Sequence, residues 1–467
     1  MAYISRRGVL AGASALGFAG GTGMLAALAP TAAAADTSGY KALVCVFLKG
    51  GLDGADTVLP LDAASHDALR KARGDLFGAY GVGSGSSSRD RERLRELDSA
   101  RDFGGRRFGL PPEMEPLHDL YASKRMAVVG NVGPLIEPTT RTRMDSGASP
   151  LPERLFSHND QQAVWMSGDL EGKRAGWGGA FADSVAPGGG PALTFTSITA
   201  TTPDSFLNAA RTRQYPGRRD GPVKLSVVAD GYRLGDANDA ARRILSDHYA
   251  SLNARSDNLL RRDLIAANRR TQSDNALFGD AIQGARAFTT PFPDTELGQQ
   301  LLTIASCISI RGALGASRQL FYASIIGFDT HSRQTTDLPD KLGEVAGAIA
   351  AFDAAMGELG LGEQVTLFTA SDFGRTTVAN GGGTDHGWGG HQFVVGGGVR
   401  GGEIHGDIPP VDFTDEQYTA SRGRLIPTTS VDQYAASLGR WFGLGEGELR
   451  DALPNLQNFD TRLDLFG

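Results

Sequence analysis

The chain has 467 residues, a formal net charge of −7 at pH 7 and a charged fraction of 21%. A surplus of acidic residues argues against nucleic acid as a partner, because polyanion binding requires clustered Lys and Arg. The length would allow two or three domains, but no Pro-rich or Ser-rich linker divides the chain. The sequence therefore predicts one large domain that follows an amino-terminal signal.

Residues 1–35 predict a twin-arginine export signal peptide. Arg6 and Arg7 precede an uncharged stretch that continues to Asp36, and the alanines at 33–35 supply a cleavage site. An uncleaved membrane anchor is the alternative, because the uncharged stretch is long enough to span a bilayer. Cleavage would leave a single domain at 36–467, and loss of the two arginines would lower the formal net charge from −7 to −9. The mature protein is then expected in the periplasm or outside the cell, without a stable membrane span.

Short apolar runs rich in β-branched residues predict the strands of the domain, and helical patterns lie between them. The predicted strands are 42–48, 126–132, 225–228, 319–326, 365–370 and 392–395. The predicted helices are 236–271, 295–310, 338–359 and 430–442. Strands that are apolar on both faces and alternate with helices indicate an α/β fold, a three-layer sandwich with a mostly parallel central sheet.

The two cysteines, Cys45 and Cys307, fall in a predicted strand and a predicted helix, with no CxxC spacing. Two inert buried thiols are the favoured interpretation. Export to an oxidising compartment leaves a disulfide between them open.

Acidic residues and histidines collect where the predicted strands end. Asp53 follows the first strand, and Asp329 and His331 follow a later one. The glycine-rich stretch 364–399 adds Asp372, Asp385, His386 and His391. Ligands bind beyond the carboxyl ends of strands in such sheets, so these side chains predict a metal or phosphoryl site whose ligands face the surface. For Asp53 a tight turn capped by its side chain is an equal alternative.

Six sequence blocks resemble those of a known family. They read KGGLDGADTVLP, LFSHNDQQAVWMSG, GFDTHSRQ, TASDFGRT, NGGGTDHGWGGHQFVVGGGVRGG and RLIPTTSVDQYAASLGRWFG. In this order they look like the bacterial family called domain of unknown function 1501, over nearly the whole mature chain. That family is similar in turn to the alkaline phosphatase and sulfatase superfamily, so the resemblance implies an alkaline-phosphatase-like fold.

The resemblance also implies divalent metal ions, one or two, of Zn, Mn or Mg. The implied ligands are Asp53, Asp329, His331, Asp372, and either His386 or His391. Two positions depart from the pattern of the superfamily. Phe373 stands where the superfamily commonly has a histidine, and Asp329 and His331 are closer in sequence than usual. Asp385 and His386 could instead form the Asp-His pair of the superfamily.

Ser157 and Arg375 are the candidate catalytic residues. Ser157 precedes a predicted helix, whose amino terminus would stabilise an alkoxide and a bound anion. The alternative is that Ser157 only begins a capping box with Asp160. Arg375 could bind an oxyanion with two donors, or form an ordinary ion pair.

The resulting hypothesis is an exported metal-dependent hydrolase of phosphate or sulfate esters, acting on a small-molecule or polymer substrate. A formylglycine sulfatase is disfavoured, because neither cysteine lies in C-x-P-x-R and no S-x-P-x-R occurs. The alternative is a non-catalytic exported binding or assembly protein that keeps the fold with a degenerate site and partners another exported protein.

Overall fold

The computed structural model describes residues 35–81, 87–170, 175–186, 188, 190–222, 240, 243–244, 247 and 258–467. Two sequence predictions lie outside the described residues: the export signal and the strand at 225–228. Most of the first half of the predicted helix 236–271 lies outside them as well. Among the described residues, no helix is both long and apolar enough to cross a membrane.

Fourteen strands occur in the described part of the chain. They are β1 (Lys41–Lys49), β2 (Leu59–Pro60), β3 (Arg95–Leu97), β4 (Phe108–Leu110), β5 (Met126–Gly133), β6 (Ser197–Thr199), β7 (Tyr215–Pro216), β8 (Arg318–Ile326), β9 (Val365–Ser371), β10 (Arg375–Ala379), β11 (Thr384–His386), β12 (Gly390–Gly396), β13 (Ile404–Gly406) and β14 (Thr429–Ser430).

Nine of these strands form the central sheet, in the order β13-β5-β12-β9-β1-β8-β6-β7, with β14 also paired to β5. Strand β12 is antiparallel to both of its neighbours, and the other pairs are parallel. The predicted mostly parallel sheet is therefore confirmed. A β10–β11 hairpin and a small β2-β4-β3 sheet lie outside it, and the sequence patterns gave no sign of either.

Thirteen α-helices occur in the described part of the chain. They are α1 (Gly54–Thr57), α2 (Ala63–Ala72), α3 (Gly74–Ala79), α4 (Glu115–Ala122), α5 (Arg141–Asp145), α6 (His158–Ser167), α7 (Trp177–Val185), α8 (Pro191–Thr194), α9 (Leu259–Gln283), α10 (Glu296–Ser309), α11 (Gln334–Glu358), α12 (Val431–Phe442) and α13 (Glu446–Ala452). Short 3₁₀ turns occur at Arg91–Arg93, Pro112–Met114, Ser205–Leu207 and Leu456–Asn458.

Helices cover both faces of the sheet, as predicted. Successive side chains of β1 point to opposite faces: Val44 and Val46 pack in one hydrophobic cluster with α4, α10 and α11. Cys45 and Phe47 pack in the other cluster, with α6, α7 and α12. Each such fully buried apolar side chain stabilises the fold by about 1.5–3 kcal/mol. Cys45 and Cys307 are both buried free thiols.

Three neighbouring parallel strands place their carboxyl ends side by side. In the register of the sheet, Lys49 at the end of β1 lies opposite Ile326 of β8, and Leu48 lies opposite Ser371 of β9. The loops that follow these strands therefore emerge at one edge. This edge carries Asp329 and Asp372.

Candidate metal centre

The site is built around the carboxylate of Asp329, in the loop after β8. Its Oδ1 lies 3.1 Å from Nε2 of His331 and 3.3 Å from Nε2 of His386. Its Oδ2 lies 3.4 Å from Nε2 of His158, the first residue of α6. We call His158, Asp329, His331 and His386 the ligand cluster.

The other ring nitrogen of each histidine is held by an oxygen that can only accept a hydrogen bond. Nδ1 of His158 lies 2.7 Å from Oδ2 of Asp372. Nδ1 of His331 lies 3.2 Å from Oδ1 of Asp385, and in His386 the acceptor is the carbonyl of Phe156 at 2.7 Å.

Because each Nδ1 donates, each neutral imidazole presents an unprotonated Nε2 to the cluster, which is the usual arrangement of metal-binding histidines.

Two contacts are unfavourable without a cation. Nε2 of His331 lies 2.8 Å from Nε2 of His386, where two lone pairs repel. Nε2 of His158 is buried and has no hydrogen-bond partner among the described residues. A positive ion among these nitrogens and the Asp329 carboxylate would relieve both, so the residues present fit a divalent metal.

The protonation states also suit a metal, with one exception. Burial lowers the pKa of His331 and of His386, which favours the neutral imidazole. Burial alone would raise the pKa of Asp329, but hydrogen bonding and charge from Arg375 bring it below its usual value. In His158 the hydrogen bond to Asp372 raises the pKa. A metal would therefore have to displace a proton from His158.

Arg375 lies beneath Asp329. Its Nη1 donates to Oδ1 of Asp329 at 2.7 Å and to the carbonyl of Gly50 at 3.1 Å, and its Nη2 donates to the carbonyl of Thr384. The side chain is completely buried. Two roles were predicted for Arg375, binding of an oxyanion and an ordinary ion pair. The geometry favours the ion pair, which orients Asp329.

Asp372 supports the ligand cluster from behind. Its Oδ2 accepts hydrogen bonds from the backbone N–H of Gly50 at 3.2 Å and from Gln162 at 3.0 Å, in addition to His158. It is fully buried, in contrast to the predicted surface-facing ligand, because the loop after β9 turns inward under α6. Phe373 packs against the rings of His158 and His386, each at 4.8 Å between centroids.

Asp53 is not brought into contact with the three histidines. Its two carboxylate oxygens accept hydrogen bonds from Arg73 at 2.8 and 2.9 Å, and Gln334 donates to one of them at 2.7 Å. Both Asp53 and Arg73 are buried. This pairing follows from the packing of α2 and α3. The rule that ligands bind beyond the carboxyl ends of strands does not take such packing into account.

His391 and Ser157 also have other partners. Nδ1 of His391 accepts a hydrogen bond from the backbone N–H of Asn131 at 3.0 Å, and burial lowers the pKa of His391 to about 4. Ser157 precedes α6 but makes no side-chain bond to the helix backbone. Its hydroxyl donates to Asp160 at 2.7 Å instead.

Sequence reasoning missed His158 as a ligand, although it lies next to Ser157. A signal was available, because His158 lies within LFSHNDQQAVWMSG, one of the six blocks that carry the family resemblance.

Comparison with known proteins identifies the family. A family model described as "Protein of unknown function (DUF1501)" matches residues 40–451. The chain belongs to this family. The resemblance seen in the six sequence blocks is thereby confirmed, and no curated protein matches the chain.

Two solved structures of sulfatases are similar to the chain at low identity. The PsFucS1 sulfatase from Pseudoalteromonas sp. is 9% identical, with a TM-score of 0.33, over 87% of this chain and 68% of that one. A "putative sulfatase" from Bacteroides thetaiotaomicron VPI-5482 is 12% identical, with a TM-score of 0.26, over 80% of this chain and 68% of that one.

Proposed function

We propose that this protein is an exported metal-dependent hydrolase of phosphate or sulfate esters. The observation that carries the proposal is the convergence of three Nε2 atoms on one carboxylate, with every Nδ1 fixed by an acceptor. Ligand atoms of His158, Asp329 and His386 all lie within 4.8 Å of one another. Perturbed histidines in such a constellation favour a functional site over a structural one.

One ion, of zinc or manganese, is the best match to the ligand cluster. Three imidazoles and one carboxylate suit these metals, whereas magnesium prefers oxygen ligands and retains water. Asp53 and His391, two of the ligands that the resemblance implied, are engaged by other groups. The proposal therefore narrows the sequence-based expectation of one or two ions of Zn, Mn or Mg.

The residues of the site have two roles: some would bind the ion, and others orient the side chains that bind it. When bound, the ion would act as a Lewis acid that withdraws charge from an ester oxygen. Arg375 keeps Asp329 ionised, and Asp372 and Asp385 hold the rings of His158 and His331. Ser157 remains a candidate attacking group, since donation of its proton to Asp160 would increase its nucleophilicity. A water molecule is the other candidate.

Metal analysis combined with ester hydrolysis tests the proposal. Purified protein, stripped with a chelator and reloaded with zinc or manganese, should bind metal stoichiometrically and cleave p-nitrophenyl phosphate or p-nitrophenyl sulfate. His331→Ala should lose most of the metal and the activity with an unchanged circular dichroism spectrum. The matched control is His118→Ala, because the described partners of His118 are a backbone carbonyl and a neighbouring acid, away from the ligand cluster.

Two results would contradict the proposal in different ways. If His331→Ala and the wild type contain equal amounts of metal, the ligand cluster as defined here is not the metal site. Full metal occupancy without hydrolysis of either ester, together with stable association with another exported protein, would favour the non-catalytic binding or assembly protein. Ser157→Ala distinguishes between the Ser157 hydroxyl and water as the attacking group. If the hydroxyl attacks, the variant should bind metal but lose turnover; if water attacks, turnover should persist.

A further inference from the structure

Arg424 lies directly beside the ligand cluster and contacts the backbone of one of its members. Its Nε donates to the backbone carbonyl of His386 at 2.7 Å. Its guanidinium carbon lies 4.3 Å from the ring centroid of Phe156, whose carbonyl in turn accepts the Nδ1 proton of His386. The guanidinium is thereby fixed next to a metal ligand.

Within the part of the chain that the structure describes, Arg424 has no carboxylate partner, unlike the other two arginines at the site. Arg375 pairs with Asp329, and Arg422 pairs with Asp385. Among the described residues, neither Nη atom of Arg424 has an acceptor, although the side chain is half-buried. A partly desolvated cation without a counter-charge is unfavourable, and an anionic ligand would correct this.

The backbone around Arg424 is held in conformations that need support. Arg422 has φ +59° and Phe156 has φ +74°, a region that residues other than glycine rarely adopt. The turn that precedes Arg424 is tied down by the N–H of Thr377, which donates to the carbonyl of Gly423 at 3.0 Å. Such strained residues cluster at ligand sites, where the surroundings fix their geometry.

The charge of the site also favours a negative ligand. The carboxylates Asp329, Asp372 and Asp385 are matched in number by Arg375, Arg422 and Arg424. A divalent ion among neutral histidines would therefore leave the site with surplus positive charge. A neutral ester would not compensate this surplus, whereas an ester with a charged tetrahedral group would.

We infer that Arg424 is the substrate-binding residue for the anion, and that its two Nη atoms hold charged oxygens of a phosphate or sulfate monoester. This inference rests on the proposed function and deepens it by naming the charge that the substrate must carry. It assigns to Arg424 the oxyanion contact that the sequence suggested for Arg375. Neutral esters are consequently poor substrates, because they leave the guanidinium unpaired.

Anion binding to metal-loaded, full-length protein tests the inference. Isothermal titration with inorganic phosphate and with inorganic sulfate should show affinity lowered about tenfold or more in Arg424→Gln, because hydrogen bonds between charged groups are the strong ones. Arg424→Lys should lose less, since it keeps the charge but not the two parallel donors. The KM for p-nitrophenyl phosphate should rise in the same order.

The matched control is Arg333→Gln. Arg333 is two residues from His331 and, like Arg422, has a positive φ, but it is exposed and bonds to Asp337 with two donors. Arg333→Gln therefore removes one positive charge near the site, as Arg424→Gln does, but the guanidinium that it removes is already paired with a carboxylate. Phosphate affinity in this variant should equal that of the wild type.

Metal content, measured in every variant, separates this inference from the proposed function. Unchanged anion affinity in Arg424→Gln with metal bound overturns the inference and leaves the metal site intact. Loss of metal in Arg424→Gln also overturns it, and would make Arg424 a positioning residue for His386. If the wild-type chain binds no metal, the proposed function fails, and the same titrations on the metal-free protein still decide the role of Arg424.

Discussion

At the scale of single residues, Asp372 orients the ring of His158. Its buried carboxylate accepts hydrogen bonds from Nδ1 of His158 and from two further donors. We predict that Asp372→Asn lowers metal affinity about 10–100-fold, because the ring of His158 loses its acceptor. The fold should lose about 1–3 kcal/mol, since an amide cannot accept all three hydrogen bonds. Equilibrium dialysis with zinc and urea denaturation measure the two effects.

Asp183→Asn is the matched control for that prediction. Asp183 also accepts several N–H groups, from Ala210, Arg211 and Thr212, but it lies on α7 and outside the ligand cluster. It should cost stability without affecting metal affinity. Equal metal affinity in Asp372→Asn and Asp183→Asn would show that Asp372 does not act through His158.

His391 illustrates a histidine that serves stability. Burial lowers its pKa from 6.5 to about 4, so the unfolded chain takes up a proton at higher pH than the folded one does. The stabilising contribution is complete above pH 6.5 and is lost as the pH falls toward 4, by about 3 kcal/mol in all. We predict that His391→Gln reduces this loss, as measured by urea denaturation at pH 7, 5 and 4.

The matched control is His118→Gln, at a half-buried histidine outside the ligand cluster, measured at the same three pH values. Acidic groups also titrate in this range, so the informative quantity is the difference in the free energy of unfolding between wild type and variant at each pH. If that difference is the same at pH 7 and pH 4, His391 is not the buried neutral group described above.

At the scale of secondary structure, Gln334 joins two elements that carry ligands. Its Oε1 accepts hydrogen bonds from Thr330, between Asp329 and His331, and from Thr384 at the start of β11, at 3.1 and 2.9 Å. Its Nε2 donates to Asp53. The first residue of α11 thus clamps the loop after β8 to the hairpin that carries His386.

We predict that Gln334→Ala lowers both the free energy of unfolding, by about 1–3 kcal/mol, and the affinity for metal. Gln300→Ala is the matched control, because Gln300 is also buried and bonds to both backbone groups of Ser324 at 2.9 Å, away from the ligand cluster. It should affect stability alone. Identical metal binding by the two variants would show that the clamp does not position the ligands.

At the scale of the whole molecule, export is the property that the sequence predicts and that lies outside the described residues. We predict that replacing Arg6 and Arg7 with Lys leaves folded precursor in the cytoplasm, because the twin-arginine pathway recognises that pair. Fractionation of cells expressing each form, with an antibody to the mature chain, measures the distribution. Mature variant protein outside the inner membrane would refute the assignment.

The strands and helices could be predicted because their patterns are local. Strands β1, β5, β8, β9 and β12, and helices α10, α11 and α12, all occur where apolar periodicity predicts them. Helix α11 begins at Gln334, four residues before the predicted start, and contains Pro339. The position of Asp329 and His331 at a strand end was equally accessible, since the carboxyl ends of neighbouring parallel strands share one edge of the sheet.

The tertiary structure alone decided which of these side chains face one another. His158 and Asp372 are 214 residues apart, so no periodicity relates them, and their contact depends on how α6 packs over the loop after β9. The pairing of Asp53 with Arg73 and the burial of His391 depend likewise on the packing of α2 and on the register of β12 with β5. Sequence patterns reflect the environment of near neighbours, whereas a metal site requires side-chain directions that only the packed elements determine.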